Sequence, residues 1–378
     1  MKFITAILLI LSLAESVLWF VPIASENLWP ANMIAHEVWP WLMLVNLLGV
    51  IVAGARKRAT VAIFIIGLGI TVWPLADISK MESDVATQWT SQSFSAQAPK
   101  VPNTSGVLRK SLAVIEVAEV EPNQIQPNIY LFKSPSSVGH EPLPTLIDIH
   151  GGSWQHENAL TDSTFASYMA AKGYAVFSID YRKAPKYRYP VQIDDVRAAI
   201  DWIYANAFSY GADPRRIALV GRSAGGHLAL LDAFTSEVIP IRGVVSFYGP
   251  ADLAKLYDDP PRPDPVKVRE ELETFLGGKP ADIPTTYRDA SPINHLKADL
   301  PPTLLIQGGD DHTVPARHIR QFHQKLAESG SRSVLVEIPW SQHAFDFVYF
   351  GPGNVLALAY VEAFLKDVLP PASQPVPE

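Results

Sequence analysis

The stretch Gly221-Arg222-Ser223-Ala224-Gly225 follows the apolar run Ile217-Ala218-Leu219-Val220 and precedes the helix-like run Gly226-His227-Leu228-Ala229-Leu230-Leu231. A strand, a serine flanked by small residues and then a helix is the layout of a nucleophile elbow. Such a sharp turn strains the backbone and brings neighbouring chain close, which residues with little or no side chain tolerate. This five-residue pattern is common by itself, so it indicates a nucleophile only if the other residues of such a site are also present in the chain.

Apolar, β-branched runs alternate with helical patterns around this stretch, and several runs lack polar alternation, as strands buried on both faces do. The predicted strands are Ala113–Val120, Ile129–Phe132, Thr145–Ile149, Ala175–Ile179, Ile217–Val220, Gly243–Phe247, Thr303–Ile306 and Val334–Ile338. The clearest helical patterns are Ile193–Ala205, Ala224–Phe234, Arg317–Ser329 and Asn354–Val368. This rhythm predicts an α/β fold with a mostly parallel eight-stranded sheet and helices on both faces.

A serine nucleophile needs a histidine to take its proton and a carboxylate to fix the tautomer of that histidine. In hydrolases with a nucleophile elbow the order along the chain is serine, acid, histidine. We predict Asp311 as the acid, because it follows the strand Thr303–Ile306, and His343 as the base, because it follows the last strand. The alternative acids are Asp310, which is adjacent to Asp311, and Asp252, which follows the sixth predicted strand.

The stretch His150-Gly151-Gly152-Ser153-Trp154 follows the third predicted strand. Acyl transfer passes through an oxyanion that needs preorganised donors, and glycines let backbone N–H groups face a pocket without a Cβ in the way. We predict that the oxyanion hole consists of the N–H groups of Gly152, Ser153 and Ala224, with Gly151 as the nearest rival.

The first 77 residues contain three apolar runs, Phe3–Ala24, Val38–Ala55 and Ala59–Ala76. Each is about long enough to cross a ~30 Å hydrocarbon layer at ~1.5 Å per residue. Residues 1–77 are therefore predicted to form a three-helix transmembrane anchor in contact with membrane lipid. The first run also has features of a cleaved signal peptide.

Basic residues predict the orientation of this anchor. Lys2 precedes the first run and Arg56-Lys57-Arg58 separates the second from the third, whereas Ser25–Glu37 has no Lys or Arg. The N-terminus and the basic turn are thus expected in the cytoplasm, and the catalytic domain outside it. Tryptophans near the opposite helix ends would form an aromatic belt at the outer interface: Trp19, Trp29, Trp39, Trp41 and Trp73.

The remaining chain divides by composition. Residues 78–106 are rich in Ser, Gln, Thr, Ala and Pro and are predicted to form a linker. Residues 107–370 form the predicted catalytic domain, and residues 371–378 a tail. Within the domain, the proline-rich connection 250–301 is long enough to predict a lid-like insertion or a pocket wall.

The overall composition excludes some classes of partner and site. With no cysteine, disulfides and thiolate metal sites are excluded. A net charge of −7, without a basic patch outside the predicted membrane turn, argues against nucleic acid as a partner.

Three further stretches carry a family resemblance: Asp180-Tyr181-Arg182-Lys183-Ala184-Pro185, Tyr189-Pro190, and Asp213-Pro214-Arg215-Arg216-Ile217 leading into the elbow. Over roughly residues 110 to 370, the chain resembles α/β-hydrolase carboxylesterases, especially the hormone-sensitive-lipase-like, feruloyl-esterase and kynurenine-formamidase-like groups. The resemblance implies an eight-stranded α/β-hydrolase sheet, the triad and an HGG-type oxyanion hole, with no metal or cofactor. Glu157 departs from the family pattern, because a glycine often stands there.

We therefore expect a membrane-anchored serine hydrolase that cleaves small-molecule or lipid esters. Ser223 would attack the ester carbonyl, His343 would transfer the proton, Asp311 would orient His343, and water would release the acyl group. One alternative is an amide or peptide hydrolase, formamidase-like or aminopeptidase-like, in which Glu157 is the candidate to hold an amine. Another is a non-catalytic, hydrolase-shaped binding domain. The oligomeric state stays open.

Overall fold

The structure is a computed structural model that describes residues 6–13, 29–53, 58–94, 116–120, 128–134 and 141–369. Its centre is one eight-stranded sheet. The strands are β1 (Glu116–Val120), β2 (Ile129–Lys133), β3 (Leu143–Ile149), β4 (Ala175–Ile179), β5 (Ala212–Arg222), β6 (Ile241–Phe247), β7 (Thr303–Gly308) and β8 (Ser333–Ile338). Across the sheet they follow the order β1-β2-β4-β3-β5-β6-β7-β8. The β1–β2 and β2–β4 pairs are antiparallel and the other five are parallel, so the predicted mostly parallel sheet is confirmed.

Helices cover both faces of the sheet. From Trp29 onward they are α1 (Trp29–Glu37), α2 (Trp39–Ala53), α3 (Arg58–Ser91), α4 (Ser163–Ala171), α5 (Val191–Asn206), α6 (Ala224–Thr235), α7 (Leu253–Asp258), α8 (Val268–Leu276), α9 (Pro284–Asp289), α10 (Ala316–Glu328) and α11 (Pro352–Val368). Because successive strand residues point to opposite faces, Ile147 and Ile149 enter one core and Leu146 the other. Helices α5, α6 and α10 close the first core, and α3, α4 and α11 close the second.

Helix α3 corrects the predicted linker. Residues 78–91 continue this helix, because Met81, Val85 and Trp89 recur at helical spacing and are all buried against the sheet. The residues around this apolar stripe are polar, so the composition of the segment does not reveal the stripe. Gln88 Oε1 also accepts a hydrogen bond of 2.8 Å from the N–H of Leu335 in the edge strand β8. Residues 95–106 of the predicted linker lie outside the described residues.

The predicted three-helix anchor finds no support in the described residues. No single helix there has both the length and the apolar composition to cross a bilayer. The segments Pro30–Glu37 and Trp39–Ile51 meet that requirement only as a pair, with a bend of 70° between them. Helix α2 has 15 residues, which is about 22 Å at 1.5 Å per residue. The first predicted run, Phe3–Ala24, lies largely outside the described residues.

One tryptophan of the predicted aromatic belt has a different environment. Trp39 is 4% exposed, and its ring meets that of Trp340 edge to face with centroids 6.1 Å apart. Trp340 precedes the loop of His343, so the start of α2 packs at Trp39 against the segment that follows β8. Trp41 is 67% exposed.

The connection 250–301 folds into α7, α8 and α9 with buried apolar faces. In α8, Phe275 is fully buried and stacks on Trp154 with ring centroids 4.2 Å apart. Val266, just before α8, lines the cavity described below. The connection therefore supports the His-Gly-Gly loop and supplies part of the cavity wall.

Candidate active site

Ser223 stands between the end of β5 and the first residue of α6, with φ 52° and ψ −117°. This turn is tight: a Cβ on Gly225 would lie 1.9 Å from the carbonyl oxygen of Ile149. A Cβ on Gly221 would lie 2.3 Å from the carbonyl oxygen of Gly225. Glycine is required at both positions because the end of β3 and the start of α6 leave no room for a side chain.

The structure brings the three predicted triad residues together. The Ser223 Oγ lies 2.9 Å from His343 Nε2, and His343 Nδ1 lies 2.8 Å from Asp311 Oδ2. Asp311 follows β7 and His343 follows β8, so the carboxyl ends of parallel strands deliver both side chains to one edge of the sheet. A carboxylate oxygen accepts hydrogen bonds, so this arrangement suits a proton on Nδ1, which leaves Nε2 to accept the proton of the serine.

The alternative acids have other contacts. Asp310 Oδ2 accepts a hydrogen bond of 2.6 Å from Gln342 Nε2. Asp252 caps α7 by accepting from the N–H of Lys255 at 2.9 Å. Only Asp311, of the three acids considered, has a hydrogen bond to His343.

The predicted oxyanion-hole residues Gly152 and Ser153 line the cavity that contains Ser223. Both have positive φ, 92° and 52°. Among the described residues, neither N–H donates a backbone hydrogen bond, whereas the Gly152 carbonyl accepts from His156 N at 2.8 Å. The two N–H groups are thus available to a ligand. Their role as oxyanion donors, together with Ala224, stays a prediction.

A buried cluster holds the His-Gly-Gly loop in place. The Tyr181 hydroxyl donates to the Gly151 carbonyl at 2.8 Å, and its ring stacks on His150 with centroids 4.4 Å apart. His150 Nε2 lies 3.0 Å from Asp180 Oδ1. Burial lowers the pKa of His150, against the opposite effect of its hydrogen bond to Asp180. In the sequence, Asp180 and Tyr181 are recognisable only as part of a family pattern, and nothing there marks this positioning role.

Arg222, directly before the nucleophile, is 4% exposed and surrounded by carboxylates. Its guanidinium contacts Asp148 at 3.1 Å, Asp346 at 2.6 Å and Asp162 at 3.5 Å. Burial acts to lower the pKa of Arg222, but these carboxylates raise it well above its usual value. Burial raises the pKa of Asp148 to about 7, against the opposite effect of Arg222. The guanidinium is therefore the counter-ion that allows this acidic cluster to be buried.

A cavity of about 430 Å³ opens above Ser223, within the usual range for small-molecule sites. Its walls combine apolar side chains with a few polar groups. The lining residues are Met33, Gly151, Gly152, Ser153, Glu157, Asp162, Arg222, Ser223, Tyr248, Val266, Thr313, His343, Ala344 and Phe347.

Helix α1 forms part of this site, which the sequence analysis did not predict. Met33 lines the cavity. The Glu37 carboxylate is 1% exposed and accepts hydrogen bonds from the Ser341 hydroxyl and, at 2.8 Å, from the N–H of Gly353. Ser341 lies two residues before His343, so α1 is fastened to the loop that carries the histidine.

Replacing Glu37 with alanine is expected to destabilise the protein. It leaves the Ser341 hydroxyl and the Gly353 N–H buried without this acceptor, at about 1–3 kcal/mol for each group. Urea unfolding measures the loss, and Asp84→Ala, an exposed acid on α3, serves as the control. Equal free energies of unfolding for the two variants would contradict the buried contact.

Comparison with known proteins places this geometry in context. The family model described as BD-FAE matches residues 129–326. The chain is 35% identical over 223 residues to esterase LipC of Mycobacterium tuberculosis, covering 55% of this chain and 54% of that protein. It is 41% identical over 243 residues to carboxylesterase NlhH of the same species, covering 60% of this chain and 74% of that protein. The chain spans about half the length of the first two curated relatives it matches.

Solved structures share the fold. An esterase from the archaeon Pyrobaculum calidifontis superposes with a TM-score of 0.59 at 22% identity. The match covers 78% of this chain and 92% of that chain. At this identity the likeness establishes an α/β-hydrolase fold and nothing further.

Proposed function

We infer that this chain, which belongs to the BD-FAE family, is a serine carboxylesterase that forms an acyl-enzyme at Ser223. The observation that carries this inference is the hydrogen-bonded series Ser223–His343–Asp311 facing a cavity. Relatives that carry the names esterase and carboxylesterase support esters as the substrate class.

The geometry supports a two-step hydrolysis. His343 Nε2 takes the proton of the Ser223 hydroxyl as Oγ attacks the ester carbonyl, and it then protonates the departing alcohol. Gly152 and Ser153 line the cavity, and in this proposal their N–H groups stabilise the oxyanion. Water activated by the same histidine releases the acid. Asp311 stabilises the imidazolium that forms in each step.

Labelling with a fluorophosphonate probe tests this proposal, because such probes react with an activated serine. We expect Ser223 to be labelled and the wild type to hydrolyse short-chain p-nitrophenyl esters. Ser223→Ala should abolish both. Ser236→Ala, at the opposite end of α6, should retain both. An unlabelled wild type that hydrolyses no ester would refute the proposal.

We also propose that the apolar N-terminal segment attaches the enzyme to a membrane, with the catalytic domain outside the cytoplasm. Trp41, Leu48 and Ile51 are exposed apolar side chains of α2, and α2 contains no charged residue. The distribution of basic residues supports the orientation. Release of the protein from membranes by alkaline carbonate would refute the attachment. A cytoplasmic signal from a reporter fused at the C-terminus would refute the orientation.

A further inference from the structure

A carboxylate stands beside the nucleophile where the family pattern often has glycine. Glu157 has φ 66° and lines the cavity with Ser223. Its Oε2 lies 3.4 Å from the point at which a Cβ on Gly151 would stand, and the Cβ of Ser223 lies 3.4 Å from the same point. Because both atoms lie near the same point of the Gly151 backbone, the Glu157 carboxylate and Ser223 are close neighbours on one wall of the cavity.

Within the described part of the chain, Glu157 forms no hydrogen bond or ion pair. Asp162 lines the same cavity and is 8% exposed. Its Oδ1 lies 3.5 Å from Arg222, but its Oδ2 is buried without a hydrogen-bond partner. Glu157 is exposed to solvent, whereas Asp162 Oδ2 is a buried acceptor without a donor, which is costly.

Acidic groups outnumber basic groups around this side of the cavity. Arg222 is the only Lys or Arg among the cavity-lining residues, and it already contacts Asp148, Asp162 and Asp346. Glu157 adds a fourth carboxyl group. Burial first, and then the neighbouring Asp162, raise the pKa of Glu157 to about 7, as expected for a carboxylate short of positive partners. A ligand that brings a positive charge would relieve this surplus.

We propose that Glu157 and Asp162 form a subsite for a protonated amine on the acyl chain of the substrate. This proposal rests on the function proposed above. An ammonium group offers three donors in a compact volume, which suits two carboxylates that lack donors. The acyl group of the ester is the part that becomes bonded to Ser223. An amine on this group that contacts Glu157 would therefore lie a few bonds from the scissile carbonyl. The favoured substrates are esters of short amino acids.

A pair of isosteric esters tests this subsite. The 2-naphthyl ester of β-alanine ends in an ammonium where the 2-naphthyl ester of butyric acid ends in a methyl group. At pH 8 the Glu157 carboxyl is mostly ionised and an alkyl amine keeps its proton. The measurement is the ratio of kcat/KM for the β-alanine ester to that for the butyrate ester, in the wild type and in Glu157→Gln.

We expect Glu157→Gln to lower this ratio by about ten- to a hundredfold, the range for a hydrogen bond to a charged group. Hydrolysis of the butyrate ester should persist, which also shows that the variant is folded. Glu157→Gly is a second variant, because glycine adopts a φ of 66° without strain. Glu270→Gln, an exposed acid on α8, is the control and should keep the wild-type ratio.

The outcomes separate the two proposals. Hydrolysis of the butyrate ester with a ratio that neither Glu157 variant changes would overturn the amine subsite alone. A wild type that hydrolyses neither ester and is not labelled at Ser223 would overturn the esterase and its subsite together. A lowered ratio in both variants, with an unchanged ratio in the control, supports the subsite.

Discussion

Replacing Asp311 with asparagine is expected to lower kcat for ester hydrolysis by about 10⁴-fold, as losing this carboxylate does in a serine protease triad. Asp311 Oδ1 accepts hydrogen bonds from the N–H groups of Thr313 and Val314 at 2.7 and 2.8 Å, so an asparagine would keep its oxygen there. Its amide would then face His343 Nδ1 as a donor. The imidazole proton would move to Nε2, which could no longer accept the proton of Ser223.

Steady-state kinetics with a p-nitrophenyl ester measure this effect, and Asp310→Asn is the matched control. Asp310 bonds to Gln342 rather than to His343, so its variant should keep far more activity than Asp311→Asn. Ser223→Ala sets the lower limit of activity. A larger loss in Asp310→Asn than in Asp311→Asn would contradict the assignment of the acid.

Replacing Arg222 with methionine is expected to give a large loss of stability, about 3–5 kcal/mol at pH 8. The change leaves Asp148, Asp162 and Asp346 buried without their shared counter-ion. Urea unfolding measures the loss. Arg320→Met is the control, because Arg320 and Glu337 form a more exposed pair that contributes about 0–1 kcal/mol.

The loss of stability in Arg222→Met should increase as pH rises. Burial already raises the pKa of Asp148 to about 7 in the presence of Arg222, and removal of the guanidinium raises this pKa further. An acid whose pKa is higher in the folded state than in the unfolded state binds more protons when folded, so its contribution to stability falls as pH rises. The deficit of Arg222→Met should therefore be smallest near pH 4–5 and grow through pH 7. A deficit that does not vary with pH would contradict the role of Arg222 as counter-ion.

The sheet and the triad were accessible from the sequence because they depend on local patterns. Buried strands are apolar runs, and Ser223, Asp311 and His343 each follow a strand whose end the sequence marks. The positions of the strand ends and the order of the three residues suffice to bring them to one edge. Their catalytic roles stay predictions until activity is measured.

Local sequence patterns did not predict what the N-terminal helices contribute to the site. Nothing near Glu37 marks its contact with Ser341, which lies 304 positions away in the chain. In α3, the buried stripe of Met81, Val85 and Trp89 is surrounded by polar residues, so its composition is that of a linker while its period is that of a helix. Tertiary packing decides both cases.

The contact of α3 with the edge strand β8 determines how far the chain can be shortened from its N-terminal side. A chain that begins at residue 107, the predicted start of the catalytic domain, would lose Gln88 and the apolar stripe of α3. The edge of β8 would then present free N–H groups to other molecules, a known route to edge-to-edge aggregation. The same truncation would remove Met33 from the cavity wall and Glu37 from the histidine loop. A shortened chain should therefore retain the segment from α1 to α3.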